Sequence, residues 1–301
     1  MNSPEKLLRE MRELLDEGGL RARMLVRDLD TGAELGIEPD TPLPSSSLVK
    51  VALALATVER IRRGELDGST PLGVRPGRVT TPGPTGISRF RHPVRIAVDD
   101  LLYLSTCLSD SAAAEALFDL TPPDQVAGLL GEFGISGITV RHSMRELADT
   151  PAERFDAAQA HLAHALAIDS GTGGSSHRVP QLDITHASNG SARAYVDLLQ
   201  ALWRPSRIPA ESAARLRELL AHNVLRQRLS PDFASDATTW SSKTATLLNL
   251  RHEIGVVEHS DGQAFAVAVL TESRVPAQAQ PGAEALMAQV ARTLRDYLRQ
   301  L

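Results

Sequence analysis

The sequence predicts an α+β fold: an antiparallel sheet built from both chain ends and flanked by helices, beside a mainly helical lobe. Three observations predict it. A strand–turn–strand pattern surrounds Asp30-Thr31-Gly32 near the start, a second surrounds Ser260-Asp261-Gly262 near the end, and the stretch between reads mainly as helix. Terminal strands can bury their apolar faces together in one sheet, so the 301 residues read as one module. Its sheet part takes about residues 1–46 and 236–301, and its helical part about 47–235.

The elements follow in order. Leu7, Leu8, Met11, Leu14 and Leu15 fall at helical spacing, and Gly18-Gly19 stop the run. RARMLVRDL and AELGIEP flank the first turn as strands. Helices are predicted over SLVKVALALATVERIRR, VDDLLYLSTCL, DSAAAEALFDL, PDQVAGLLGEFG, RFDAAQAHLAHALA, SARAYVDLLQALW and ESAARLRELLAHNVLRQRL. Residues 71–86, rich in Pro and Gly, and the Gly/Ser/His/Asn stretch 169–190 read as loops. TTWSSKTATLL is a strand ahead of the second hairpin, whose arms are HEIGVVEH and QAFAVAVLTES. Leu286, Val290, Leu294 and Leu298 then recur at four-residue steps along a closing amphipathic helix.

Composition narrows the function. A net charge of -5 supplies no basic field for nucleic acid or anionic membrane. The single cysteine, Cys107, excludes an intrachain disulfide and a cysteine-rich zinc site. The charged N-terminus has no secretory apolar core, and no run approaches the ~20 apolar residues of a membrane helix, which predicts a cytoplasmic protein if Met1 is the native start.

Lysine usage points to the chemistry. Of 32 basic residues only Lys6, Lys50 and Lys243 are lysines. Unlike arginine, a desolvated lysine can lose its proton and act as a base. Lys50 follows Ser47 by three residues, one helical turn, at the start of a helix that is apolar nearly all round. Burial there pushes the amine toward a general-base pKa, while the helix N-terminus offers free N–H groups for an oxyanion. For the four residues alone, a capping serine with a snorkelling lysine is the better reading.

Two later motifs decide between these readings. Ser109-Asp110-Ser111 lies between two helices, and Lys243-Thr244-Ala245 lies in a strand before a hairpin. The order Ser-x-x-Lys, Ser-Asp-x, Lys-Thr-x resembles the penicillin-recognising serine enzymes, above all the class A β-lactamases. DLDTGAELGIEPD, LRQRL and RHEIGVV with SDG extend the resemblance over nearly the whole chain. It implies that Ser47 is the nucleophile, Lys50 its base, Ser109 a proton relay to the leaving group, and Lys243 a positive charge near Ser109 and the substrate carboxylate. It further implies an oxyanion hole from the backbone N–H groups of Ser47 and Thr246, and substrate contacts from Ser111, Thr244, Ala245 and the carboxylate-binding Arg251. Asp110 is expected to be a structural acceptor.

The chain departs from the family pattern in three ways. Ser111 stands where the family has Asn, losing a two-ended amide, and Ala245 stands for Gly. No E-x-x-L-N appears where the family carries the glutamate that activates the deacylating water; MRELADTPAERFD offers only Glu146 and Glu153. Glu146 is nearer the expected spacing, but a solvated surface carboxylate is the better reading of it. The segment between Ser109 and Lys243 is long, and its surplus near 150–182 is expected to form a lid. His161 and His164 read as a helix face without a third ligand, GTGGSS at 171–176 lacks a phosphate-loop lysine, and Cys107 reads as a small buried hydrophobe.

The expected function is a cofactor-free serine hydrolase that forms an acyl-enzyme on Ser47 and opens a β-lactam, ester or amide. Its expected partner is a small acyl donor bearing a carboxylate. A sensor that retains the acyl group is the alternative, as is a D-Ala-D-Ala peptidase if the chain is exported.

Overall fold

In a computed structural model, which describes residues 3–77, 85–151, 155–169 and 177–301, the first helix α1 (Pro4–Glu17) starts where Ser3 Oγ accepts the Lys6 N–H and proline occupies the first turn. Gly19, at φ +72°, turns the chain into β1 (Leu20–Asp28). Asp28 accepts the N–H groups of Asp30 and Thr31 in the turn to β2 (Glu34–Ile37). A two-residue β3 (Leu43–Pro44) leads into a 3-10 turn, Ser46–Leu48, and α2 (Val49–Arg62).

The helical lobe follows. It contains β4 (Pro71–Val74), β5 (Val94–Ala97), α3 (Val98–Cys107), α4 (Ser111–Leu120), α5 (Pro123–Glu132), β6 (Ile138–Thr139), α6 (Met144–Ala148), α7 (Ala160–Asp169), β7 (Asn189–Gly190), α8 (Ala192–Trp203) and α9 (Ala210–Ala221), after which α10 (Ser230–Phe233) packs on the other face of the sheet, Phe233 against Trp240. The chain returns to the sheet through β8 (Thr238–Leu247), β9 (Leu250–His259) and β10 (Ala264–Ser273), and closes with α11 (Pro281–Leu298).

The five-stranded sheet has the order β2-β1-β10-β9-β8 and unites both chain ends. β1 runs antiparallel to β10, from Leu20 opposite Ser273 to Asp28 opposite Phe265. Strand alternation divides the core. Ala264, Ala266, Ala268 and Leu270 face the helical lobe, whereas Phe265, Val267 and Val269 pack with Met287, Val290 and Leu294 of α11 and Leu7 and Leu15 of α1. On the lobe side α2 is buried from Val49 to Glu59. Its leucines and valines each contribute about 1.5–3 kcal/mol by leaving water. β8 is left as a sheet edge, and that edge carries the Lys-Thr-Ala motif.

Two sequence expectations are corrected. Residues 71–86 are not all loop: Pro71–Val74 pairs antiparallel with Val94–Ala97, with the proline at the first strand position, where the ladder tolerates its missing N–H. The helix expected through 229 ends at Ala221. Asn223 breaks it by accepting the Leu225 N–H and donating to Ser242 Oγ at 3.0 Å. Glu153, the 171–176 run and parts of the expected 71–86 loop and 150–182 lid lie outside the described residues.

Candidate active site

Several anchors fix the turn that carries Ser47. The neutral imidazole of His252 accepts the Thr271 N–H and contacts the Pro44 carbonyl at 3.0 Å, and burial pushes its pKa down to about 4. Tyr195 donates its hydroxyl to Ser45 Oγ at 2.5 Å. Ser46 adopts φ +48°, a left-handed backbone that costs a non-glycine residue about 1–3 kcal/mol, and its hydroxyl donates to the Thr246 carbonyl at 3.0 Å. The first turn of the 3-10 helix is thereby held against the edge strand.

That contact also orients the edge. In an antiparallel pair, alternate residues of an edge strand turn both C=O and N–H away from the neighbouring strand. The Thr246 carbonyl meets Ser46, so the Thr246 N–H looks toward the same side of the edge strand as the 3-10 turn that carries Ser47. Ser47 and Thr246 both line the same cleft.

Lys50 is fully buried. Its ammonium group donates to the Ser109 carbonyl at 2.6 Å, to Ser111 Oγ at 3.2 Å and to Ser109 Oγ at 3.4 Å. Lys243, equally buried, donates to Ser109 Oγ at 2.9 Å and to the Thr244 carbonyl. Ser109 sits at φ +59°, which turns its hydroxyl and carbonyl toward the two amines. Burial pushes the Lys50 pKa down to about 7, with Asp110 opposing the shift. Burial, then the charges of Lys50 and Arg228, hold Lys243 well below the ordinary lysine value.

Ser47 lines a cleft of about 560 Å³ together with Ser109, Ser111 and Thr244 to Thr246. The bonded network runs through Lys50, Ser109, Ser111 and Lys243; Ser47 shares the cleft lining with Ser109 and Ser111 but makes no hydrogen bond to Lys50. Ser111 also borders a second groove of about 600 Å³ between α4 and α6. Asp110 is an acceptor, as expected: it caps α4 by taking the N–H groups of Ala112 and Ala113, and it binds Ile87 N–H and Ser88 Oγ. A side chain at Gly86 would meet its carboxylate at 2.3 Å.

Other sequence candidates are placed differently. Glu146 is not brought to the cleft: it is exposed and accepts the Ser143 N–H in the capping box of α6. Arg251 lines the cleft, but its guanidinium donates to the carbonyls of Leu248, Leu250, Ala277 and Gln278. Arg228, which sequence reasoning left unremarked within LRQRL, reaches the same end of the cleft. It bonds the Ala245 and His252 carbonyls, Thr246 Oγ1 and the Glu284 carboxylate. Because α9 ends at Ala221, Arg228 lies beyond the helix and not on it. Cys107 is buried and donates its thiol to the Leu219 carbonyl, and burial pushes its pKa up to about 12. His161 and His164 lie on α7; among the described residues no three metal-ligating side chains gather.

A sheet from both chain ends, with a Ser/Lys/Ser cluster between its edge and a helical lobe, is the β-lactamase/transpeptidase-like fold. The chain belongs to the β-lactamase enzyme family, whose model matches residues 6–298. It is 68% identical over 311 residues to the "Beta-lactamase regulatory protein BlaB" of Streptomyces cacaoi, covering 100% of both chains. A β-lactamase from Chitinophaga pinensis shares the fold at 15% identity and a TM-score of 0.77, over 97% of this chain and 99% of that one. PBP-A shares it at 17% identity and a TM-score of 0.75, over 98% and 97%. A variant of PBP-A, solved as an acyl-enzyme complex with penicillin G, matches at the same identity and score over 99% and 97%.

Proposed function

We propose that the chain is a serine enzyme that takes an acyl group onto Ser47 from a β-lactam, ester or amide. The observation that carries this reading is the Lys50 amine: wholly buried, brought down to about 7, and bonded to Ser109 and Ser111. An amine with that pKa is largely neutral just above pH 7 and can accept the Ser47 proton as Oγ attacks the carbonyl carbon. The oxyanion that forms then receives the N–H groups of Ser47 and Thr246. When the C–N or C–O bond breaks, the proton held on Lys50 passes through the Ser109 hydroxyl to the departing atom, and Lys243 steadies that hydroxyl. Thr244, Ala245 and Ser111 line the cleft and serve as contacts for the donor.

One observation favours a second reading, in which the acyl group stays on Ser47 and the protein acts as a sensor. Glu284 is the one acidic side chain among the described residues lining the cleft, and it is bonded to Arg228. A water that would release the acyl group therefore lacks an obvious base there. The Streptomyces cacaoi relative is named a regulatory protein, which is consistent with this reading. No helix among the described residues is long and apolar enough to cross a membrane. Peptidase action on D-Ala-D-Ala ends would further require export.

Intact-mass measurement after incubation with penicillin G, a cephalosporin and a nitrophenyl ester tests both readings. An adduct that turns over supports the hydrolase, and one that persists for hours supports the sensor. Absence of any adduct, with hydrolysis unaffected by Ser47→Ala, defeats the proposal.

A further inference from the structure

Two buried arginines and one carboxylate meet where the amino end of α11 closes the cleft. Arg228 donates Nε–H to Glu284 Oε1 at 2.8 Å, Nη1 to the Ala245 and His252 carbonyls at 2.8 Å each, and Nη2 to Thr246 Oγ1. Four of the five N–H donors of this guanidinium are thereby engaged. Arg251 spends its Nη groups on the four carbonyls named above. Arg228 and Glu284 are nearly withdrawn from water, with 3% and 15% of their side chains accessible.

This corner has the two features that attract an anion. A guanidinium lies against Ala245 and Thr246, beside the proposed oxyanion donor, and the positive end of an 18-residue helix adjoins it. Glu284 answers both, since it stands in the first turn of α11 and pairs with Arg228. A ligand carboxylate entering here would have to displace Glu284 from Arg228 or sit beside it, and two carboxylates in a poorly solvated corner repel. Sequence resemblance led to the opposite expectation, a donor with a carboxylate bound by arginine.

We propose that Glu284 fills the anion position beside Thr246 from within the chain, so that the cleft selects acyl donors that are neutral there: an ester, amide or lactam without an acidic group at that end. The acyl character of the ligand rests on the proposed function of Ser47, whereas the preference for neutrality rests on Glu284 and Arg228 alone. Glu284 is a specificity-determining residue in this account and takes no part in proton transfer.

Penicillin G and its methyl ester differ at the carboxylate and serve as matched probes. Their equilibrium binding is measured by calorimetry on full-length protein carrying Ser47→Ala, so that acylation cannot intervene. With Glu284 present the ester should bind more tightly than the acid. Glu284→Gln should move the acid-to-ester affinity ratio toward the acid by about tenfold or more. Glu284→Ala should move it the same way and serves if the glutamine variant does not fold. An acid already preferred in the presence of Glu284, a ratio that stays put in the variants, or no binding of the acid to any variant would each overturn the proposal. Failure of the wild-type chain to form an adduct defeats the assignment of Ser47 but leaves this ratio readable.

Discussion

Lys243 donates to Ser109 Oγ at 2.9 Å across 134 positions of sequence, tying the edge strand of the sheet to the loop between two helices of the lobe. Lys50 reaches Ser109 as well, at its carbonyl and its hydroxyl. One serine thus stands between two buried amines carried by elements from both parts of the fold, and in the proposed reaction it would offer a proton a short route from base to leaving atom.

The first prediction concerns pH. In the proposed reaction acylation needs the neutral Lys50 amine, which is populated above a pKa of about 7. The second-order rate constant for adduct formation should rise about tenfold per pH unit below pH 7 and level off above it. Lys50→Ala should lower that constant by about 10²–10⁴ and abolish the pH dependence, as read by quenched-flow mass measurement.

The same amine should weaken the fold. Its folded pKa of about 7 lies below the reference value of 10.5, so between those values the unfolded chain holds more protons and stability rises with pH. Below about pH 7 the full burial penalty applies. Lys50→Met should therefore be more stable than the native chain by about 1–4 kcal/mol at pH 6, with the difference shrinking toward pH 10. Urea midpoints at pH 6, 8 and 10 check this, and a less stable variant at pH 6 would contradict it.

Asp110 joins the α4 cap to the Gly86–Arg89 turn through Ala112, Ala113, Ile87 and Ser88. Asp110→Ala should cost about 3 kcal/mol in denaturant unfolding, from a lost cap and buried donors left unpaired. Asp110→Asn keeps some acceptors but removes the charge that raises the Lys50 pKa. Its acylation midpoint should accordingly fall to lower pH.

Glu146 is held in the α6 capping box, away from the cleft. Glu146→Gln should change the lifetime of any Ser47 adduct by less than about twofold and leave stability within about 0.5 kcal/mol, since glutamine also completes a capping box. A tenfold longer adduct lifetime would instead identify Glu146 as the base that activates water.

Much of this architecture was legible because local and global signals agree. Alternation and the Asp-containing turns marked β1, β2, β9 and β10, and the all-apolar face of α2 announced that Lys50 would be buried. What escaped depends on contacts distant in sequence. Pro71–Val74 becomes a strand because Val94–Ala97 comes back to pair with it, and proline and glycine conceal that partnership. Arg228 becomes part of the cleft because Asn223 bonds Ser242, 19 positions away, and stops α9. The left-handed backbones of Ser46 and Ser109 come from the packing around them, which residue type does not announce.

The chain's single sulfhydryl, Cys107, is sealed inside, and burial pushes its pKa up to about 12, which favours the thiol over the reactive thiolate. Alkylating dyes should pass it by. A cysteine introduced on the rim of the cleft could then carry a fluorophore at one defined place, allowing arrival and departure of an acyl group to be followed in real time without first altering the native sequence elsewhere.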